Sequence, residues 1–167
     1  EQPNEDYAVT MGRQFFFDVY HYFTLKSLTE SSDERIAGIA AKALKEVTYH
    51  LRRSSEWVKR FGDGTEESHR RMQDAVDILW RFTGELITPD DTDRVMAEAG
   101  IGPDTDQLAK DWRGMVNEVL TQATLTPGAE DAWMYMGGKH GEHTEHLGFI
   151  LAEMQFLQRA YPDATTW

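Results

Sequence analysis

The 167-residue chain lacks cysteine and long apolar runs, and it has only five prolines. The absence of cysteine excludes disulfides, zinc–thiolate sites, iron–sulfur clusters and thiol nucleophiles. No apolar run approaches the roughly 18 residues that a membrane-spanning helix needs. The prolines fall outside the long periodic segments, so the sequence allows long uninterrupted helices.

Positive charge is also scarce, with 17 Lys and Arg against 29 Asp and Glu and a net charge of −12. Because the chain offers no basic face to neutralise phosphates, we expect neither nucleic acid nor an anionic membrane as a partner. No signal peptide is visible, so a cytoplasmic location is expected. The sequence begins at Glu1 without Met, and we expect the original N-terminus to have been removed. At this length, with 40% hydrophobic residues, we expect a single domain over residues 1–167.

Apolar residues recur with helical periodicity throughout, and no alternating strand of useful length is present. The pattern predicts an all-α fold of about six helices. A capping box at Ser31–Glu34 starts the second helix and Gly62 ends it. Asp63–Glu66 caps the third helix, and Pro89 lies at the start of the fourth. The expected helices span about residues 7–29, 31–61, 65–86, 88–100, 104–124 and 143–161.

Two carboxylate–histidine units at helical spacing are the main candidates for chemistry. Asp18 and His21 lie one turn apart on the first helix, and Glu46 and His50 lie one turn apart on the second. Such units on facing helices build carboxylate-bridged di-iron and di-manganese sites, which take ligands from four helices. The sequence offers two such helices, and therefore half of a site or the remnant of one.

A metal-free alternative uses the same residues. Because Glu46 and His50 fall within an apolar stripe, we expect them to be buried, where charge is costly unless paired. The usual di-metal unit has histidine at i+3 from glutamate, and Tyr49 occupies that position here. With only two contributing helices, we favour a buried hydrogen-bonded network in which imidazoles neutralise carboxylates, and we expect no metal.

The segment before the last helix contains glycines and histidines. His143 and His146 are interleaved with Glu142 and Glu145, a pattern without the HExxH zinc signature. A helix start with local ion pairs is favoured over a weak metal site. The preceding Gly137, Gly138 and Lys139 lack both a preceding strand and the GxxxxGK[ST] pattern, so a phosphate loop is not favoured. No GxSxG motif is present either.

Several long segments together resemble one family. They are IAAKALKEVTYHLR (39–52), GDGTEES (62–68), LWRFTGEL (79–86), GGK (137–139), HTEHLG (143–148) and LAEMQFLQR (151–159). In this order they are similar to the C subunit of the bacterial phenylacetyl-CoA epoxidase, a multicomponent monooxygenase of phenylacetate degradation. The resemblance covers essentially the whole chain. Residues 137–139, His143, Glu145 and His146 are part of this family signature, without an assigned role.

The resemblance implies a ferritin-like helical bundle in a structural, non-catalytic subunit. It implies a hetero-oligomer in which a related di-iron subunit binds the CoA thioester and epoxidises the ring. A reductase subunit then supplies electrons from NADPH, and this subunit holds no cofactor. On this view Asp18, His21, Glu46, Tyr49 and His50 are a relic of a metal site. The alternatives are an active di-metal enzyme and an unrelated helical binding module.

Family members carry roughly another third of sequence before the position of Glu1, including two core helices. We therefore expect an N-terminally truncated domain in which apolar faces of the first two helices are exposed, unless another chain covers them.

Overall fold

The computed structural model describes residues 2–166. The regular secondary structure in this range is helical, with no strand. The all-α prediction is confirmed. The helices are α1 (Tyr7–Leu28), α2 (Glu34–Gly62), α3 (Glu66–Trp80), α4 (Gly84–Ile87), α5 (Asp91–Glu98), α6 (Thr105–Gln122), α7 (Glu145–Met154) and α8 (Phe156–Ala160), with a 3-10 turn at Gly138–His140.

The chain divides into two compact units, one formed by residues 4–136 and the other containing residues 137–166. In the first unit, α1 packs along α2 and also contacts α3 and α6, while α2 contacts α3 and α6. In the second unit, α7 packs against α8. That all of these residues belong to a single domain stays a prediction.

Helix α1 lies at the centre of the first unit because apolar side chains surround it. Phe15 and Val19 are fully buried in one core cluster shared by α1, α2, α3 and α6. The ring of Phe16 lies 6.0 Å from both Trp80 and Trp112, centroid to centroid. The indole nitrogen of Trp112 donates to the carbonyl oxygen of Phe16 at 3.0 Å, which satisfies the one polar atom of that buried ring.

Side-chain caps set the helix starts. Asp6 accepts from the backbone N–H of Val9, and Asp104 accepts from that of Gln107. Thr65 and Ser68 form a reciprocal capping box at α3. The predicted box at Ser31–Glu34 is wrong in register. Asp33 is the N-cap of α2, because its short carboxylate reaches the second and third N–H groups of the helix.

Other predicted boundaries also shift. The third predicted helix breaks after Trp80, since the Thr83 hydroxyl and backbone N–H both donate to the Trp80 carbonyl. Pro89 precedes the N-cap Asp90 of α5 and is not the first helical residue. The last helix was predicted to begin at residue 143, but α7 begins two residues later, at Glu145. The helix is also interrupted at Gln155, which separates α7 from α8.

Helices α2, α3 and α6 meet at a crowded junction. Gly62, the last residue of α2, lies so close to Ala123 that a Cβ on Gly62 would overlap the Ala123 carbonyl oxygen. The Gly62 carbonyl oxygen accepts from the Thr124 hydroxyl at 3.3 Å and lies 2.8 Å from His69 Nδ1. Gly62 therefore serves close packing. The prediction that it ends the helix is wrong by one residue, because α2 includes Gly62 and Asp63 is its C-cap.

None of the helices within residues 2–166 combines the length and the apolar character needed to cross a bilayer.

Candidate functional site

Asp18 is a buried carboxylate at the interface of α1 and α2. Its exposed fraction is 1%. Ser54 Oγ on α2 donates to Asp18 Oδ2 at 2.7 Å, and Gln14 Nε2, one turn earlier on α1, donates to Asp18 Oδ1 at 2.6 Å. Asp18 has no ion-pair partner among residues 2–166. The carboxylate is thus held by two neutral donors, which meet part of the cost of burying it.

His21 does not join this group. Its ring is half-buried and lies 5.3 Å from the ring of Phe17, centroid to centroid. No hydrogen bond or ion pair links His21 to Asp18 in the part of the chain that is described. The i,i+3 spacing therefore places the two residues on neighbouring turns without coupling them chemically.

Glu46 and His50 pair with each other on the surface of α2. His50 Nε2 lies 3.8 Å from Glu46 Oε1, and their side chains are 44% and 78% exposed, respectively. The prediction that these two residues form a buried polar network is therefore wrong. The buried stripe of α2 runs through Val47, Leu51 and Val58. Glu46 directly precedes Val47, and His50 directly precedes Leu51. One residue corresponds to a rotation of about 100° around the helix axis, which turns both side chains toward solvent.

Tyr49 also lies on the outer face of α2. It is exposed, its ring centroid is 6.2 Å from that of His50, and the Arg52 guanidinium lies over it at 5.5 Å. This is a surface cation–π contact. Tyr49 consequently lies outside the core of the bundle, although it stands three residues after Glu46, where a Glu-x-x-His unit carries its histidine.

The donor set does not fit a di-metal centre. Such a centre needs several carboxylates and imidazoles converging from facing helices. Nowhere in residues 2–166 do three His, Asp or Glu side chains come close enough to share an ion. Asp18 is turned toward Ser54, while Glu46 and His50 are exposed. That the five residues are a relic of a metal site stays a prediction.

The signature region forms a tight turn in the second compact unit. The Gly137 carbonyl oxygen accepts from the backbone N–H groups of His140 and Glu142, and Gly141 adopts a left-handed conformation with φ of 88°. Lys139 and Gly138 lie within the 3-10 turn. Only glycine occupies such a φ at no steric cost, which explains one glycine of this segment physically.

The histidines that follow are exposed. His143 precedes α7, Glu145 is its first residue, and the ring of His146 lies 6.1 Å from that of Phe149. Glu145 lies in the first turn of α7, where a negative charge interacts favourably with the helix dipole. The role of this region stays a prediction.

Sequence reasoning missed Ser54 and Gln14 as the partners of Asp18. A signal for Ser54 was available, because it continues the buried spacing of Val47, Leu51 and Val58 on α2. A hydroxyl in that stripe must find an acceptor once it is buried. Gln14 carried no such signal, since i,i+4 pairs of Gln and Asp are ordinary on helix surfaces.

Comparison with known proteins agrees with this helical architecture. The whole chain, residues 1–167, matches the family described as phenylacetic acid catabolic protein. The chain belongs to this family. Its ferritin-like helical fold is thereby confirmed, together with the family resemblance on which that fold was predicted.

Among curated relatives of the phenylacetic acid catabolic family, the chain is similar to the C subunit of 1,2-phenylacetyl-CoA epoxidase from Escherichia coli (strain K12). The two are 47% identical over 162 residues, which cover 97% of this chain and 65% of that protein. The chain thus spans a little less than two thirds of the length of the curated relative that it matches.

Proposed function

We propose that the chain acts as a structural, non-catalytic subunit of a phenylacetyl-CoA ring-epoxidising monooxygenase complex in phenylacetate catabolism. The observation that carries this proposal is the 47% identity, over 97% of the chain, to a protein named as the C subunit of that epoxidase. The di-iron centre and the NADPH-derived electrons belong, in this proposal, to partner subunits of the complex.

The arrangement of the candidate ligands supports a non-catalytic role. Asp18 is engaged by Ser54 and Gln14, and Glu46 is 78% exposed. Asp18 faces Ser54, which lies eight residues beyond Glu46 on α2, a distance of about 12 Å along the helix axis. Bringing Glu46 next to Asp18 would therefore require α2 both to slide by about 12 Å and to rotate by about 100°, which would expose Val47 and Leu51. Exposing two such side chains costs several kcal/mol, on the order of 1.5–3 kcal/mol each, so this packing opposes assembly of a metal site.

Exposed apolar surface supports the proposed role as a subunit. Helices α7 and α8 carry exposed Phe149, Ile150, Met154, Phe156 and Leu157, and Met154 is 67% exposed. We call these five side chains the α7–α8 apolar surface. Five large apolar side chains exposed within nine residues exceed what scattered surface hydrophobics explain, and such exposure is typical of sites that bind protein. The partner in this proposal is the di-iron catalytic subunit.

Co-purification tests the proposed assembly. The tagged chain is co-expressed with the di-iron catalytic subunit of the complex, and the double variant F149S/M154S is compared with V95S/M96S. The control removes two exposed apolar side chains from α5. We expect the first variant to lose most of the co-purified partner and the control to retain it. Equal retention by both variants would overturn the role of the α7–α8 apolar surface.

Metal analysis tests the non-catalytic role separately. We expect iron in the partner subunit after the complex is separated, with no stoichiometric iron or manganese in this chain. One or more tightly bound metal ions per chain would favour the di-metal enzyme instead. Failure of the wild-type chain to associate with the catalytic subunit would favour an unrelated binding module.

A further inference from the structure

A cavity of about 270 Å³ lies in the first compact unit, among α3, α4, α6 and residues 127–136. It is distinct from the Asp18 and Glu46 positions, neither of which lines it. For scale, an engineered apolar cavity of about 150 Å³ accommodates benzene. The volume therefore suffices for one aromatic ring and a short substituent.

The indole ring of Trp80 forms an apolar wall of the cavity, and it packs against the ring of Trp112, which is only 1% exposed. The rings of Trp80 and Trp112 lie 6.1 Å apart, centroid to centroid, with an interplanar angle of 44°. Both indole N–H groups are already engaged, that of Trp80 with the Ala129 carbonyl at 3.1 Å and that of Trp112 with the Phe16 carbonyl. What the partly exposed Trp80 ring offers a ligand is therefore carbon surface, which suits an aromatic ring.

Two glycines bring the walls together. A Cβ on Gly128 would overlap the indole of Trp80, and one on Gly84 would meet Met134 Cγ at 2.6 Å. All four residues line the cavity. The segment after α6 can approach Trp80 this closely only because glycine lacks a side chain.

One side of helix α6 forms a polar wall. Arg113, Asn117 and Thr121 recur every four residues, so they lie on one face of the helix and all line the cavity. Within residues 2–166, Arg113 forms no hydrogen bond or ion pair, and it is not paired with Glu130 across the cavity. A guanidinium presents several N–H donors in a planar fork that matches a carboxylate.

We propose that this cavity binds a small aromatic carboxylate, with its ring against Trp80 and its carboxylate on Arg113. Three donor side chains on α6 face the ligand, against the single carboxylate of Glu130, so the polar wall favours an anion. Glu130 opposes that preference through like-charge repulsion and thereby limits the affinity. The site is independent of the proposed assembly with a catalytic subunit.

Isothermal titration calorimetry on the chain tests the proposal with phenylacetate as the probe. Phenylacetamide keeps the ring and removes the charge, acetate keeps the charge and removes the ring, and benzylamine reverses the charge. We expect phenylacetate to bind at least tenfold more tightly than each of the other three. Among the tryptophan indole N–H groups, that of Trp80 should show the largest NMR shift.

Charge variants identify the binding residues. We expect R113Q to weaken phenylacetate binding at least tenfold while leaving phenylacetamide binding unchanged, and E130Q to tighten phenylacetate binding. The control K110Q removes a positive charge from α6 outside the cavity and should change neither. Absence of phenylacetate binding at 10-fold molar excess over a millimolar protein sample, tighter binding of benzylamine, or an equal effect of R113Q and K110Q would overturn the proposal.

Discussion

Ser54 on α2 donates a hydrogen bond to Asp18 on α1 at 2.7 Å, in a contact where each residue is only 1% exposed. It joins α1 and α2, the two longest helices within residues 2–166, at a buried polar point of their interface. The carboxylate that the sequence marked as a metal-ligand candidate is thus part of helix packing, and its partner is a serine.

Replacing Ser54 with alanine should destabilise the chain. The variant S54A leaves Asp18 Oδ2 buried without its donor, at an expected cost of about 1–3 kcal/mol in the free energy of unfolding. Urea denaturation followed by circular dichroism measures this cost. The control is S55A on the same helix, where the side chain is less buried and the change should be within about 0.5 kcal/mol. Equal values for both variants would contradict the role of the hydrogen bond.

Replacing Glu46 with alanine should have little effect on stability. If Glu46 lay in a buried network, E46A would cost about 1–3 kcal/mol by leaving imidazoles unpaired. Because its side chain is 78% exposed, we expect a change within about 0.5 kcal/mol. The same urea denaturation decides between these values. A loss as large as that of S54A would show that the outer face of α2 is covered in solution.

Replacing Gly62 with alanine should destabilise the junction of α2 and α6. The added methyl group would overlap the backbone of Ala123, so we expect a loss of about 1–3 kcal/mol. Gly38, on the same helix, provides a matched control because a Cβ there meets nothing within 4 Å. G38A should stabilise the chain by about 0.5–1 kcal/mol through helix propensity. Thermal unfolding of both variants should therefore shift in opposite directions.

Glu67 should make stability depend on pH in the acid range. Hydrogen bonds from Arg71 and then Arg70 lower the pKa of Glu67 below its ordinary value. Because the folded-state pKa is lower than the unfolded one, the stabilisation is complete above the unfolded pKa. It is lost as the pH falls through the lowered folded pKa. E67Q should therefore show a weaker decline of Tm on acidification than the wild type.

The neighbouring Glu66 offers the control for this titration. It lies in the same first turn of α3, and no ion pair of the described residues involves it. E66Q should retain the wild-type dependence of Tm on pH, and added salt should reduce the difference between wild type and E67Q because the pairs are exposed. An identical pH profile for E66Q and E67Q would contradict the assignment to Glu67.

The sequence by itself determined the helical class and much of the helix order. Apolar periodicity and capping residues placed α1, α2 and α6 within a few residues of their observed bounds, since long uninterrupted helical segments carry a strong signal. The apolar periodicity predicted helix ends less well, because local hydrogen bonds such as that of Thr83 to Trp80 decide the last turn. Family membership was likewise readable from motifs distributed along the whole chain.

Tertiary structure alone decided which face of each helix is buried. Glu46 and Val47 are adjacent in sequence, yet one is exposed and the other lies against α1, because 100° of rotation separates them. From the sequence, we expected the apolar stripe that contains Glu46 and His50 to face the core. The packing of α2 against α1, α3 and α6 selected the stripe of Val47, Leu51, Ser54 and Val58 instead. Helix periodicity defines the possible faces, and only the neighbouring helices determine which one is covered.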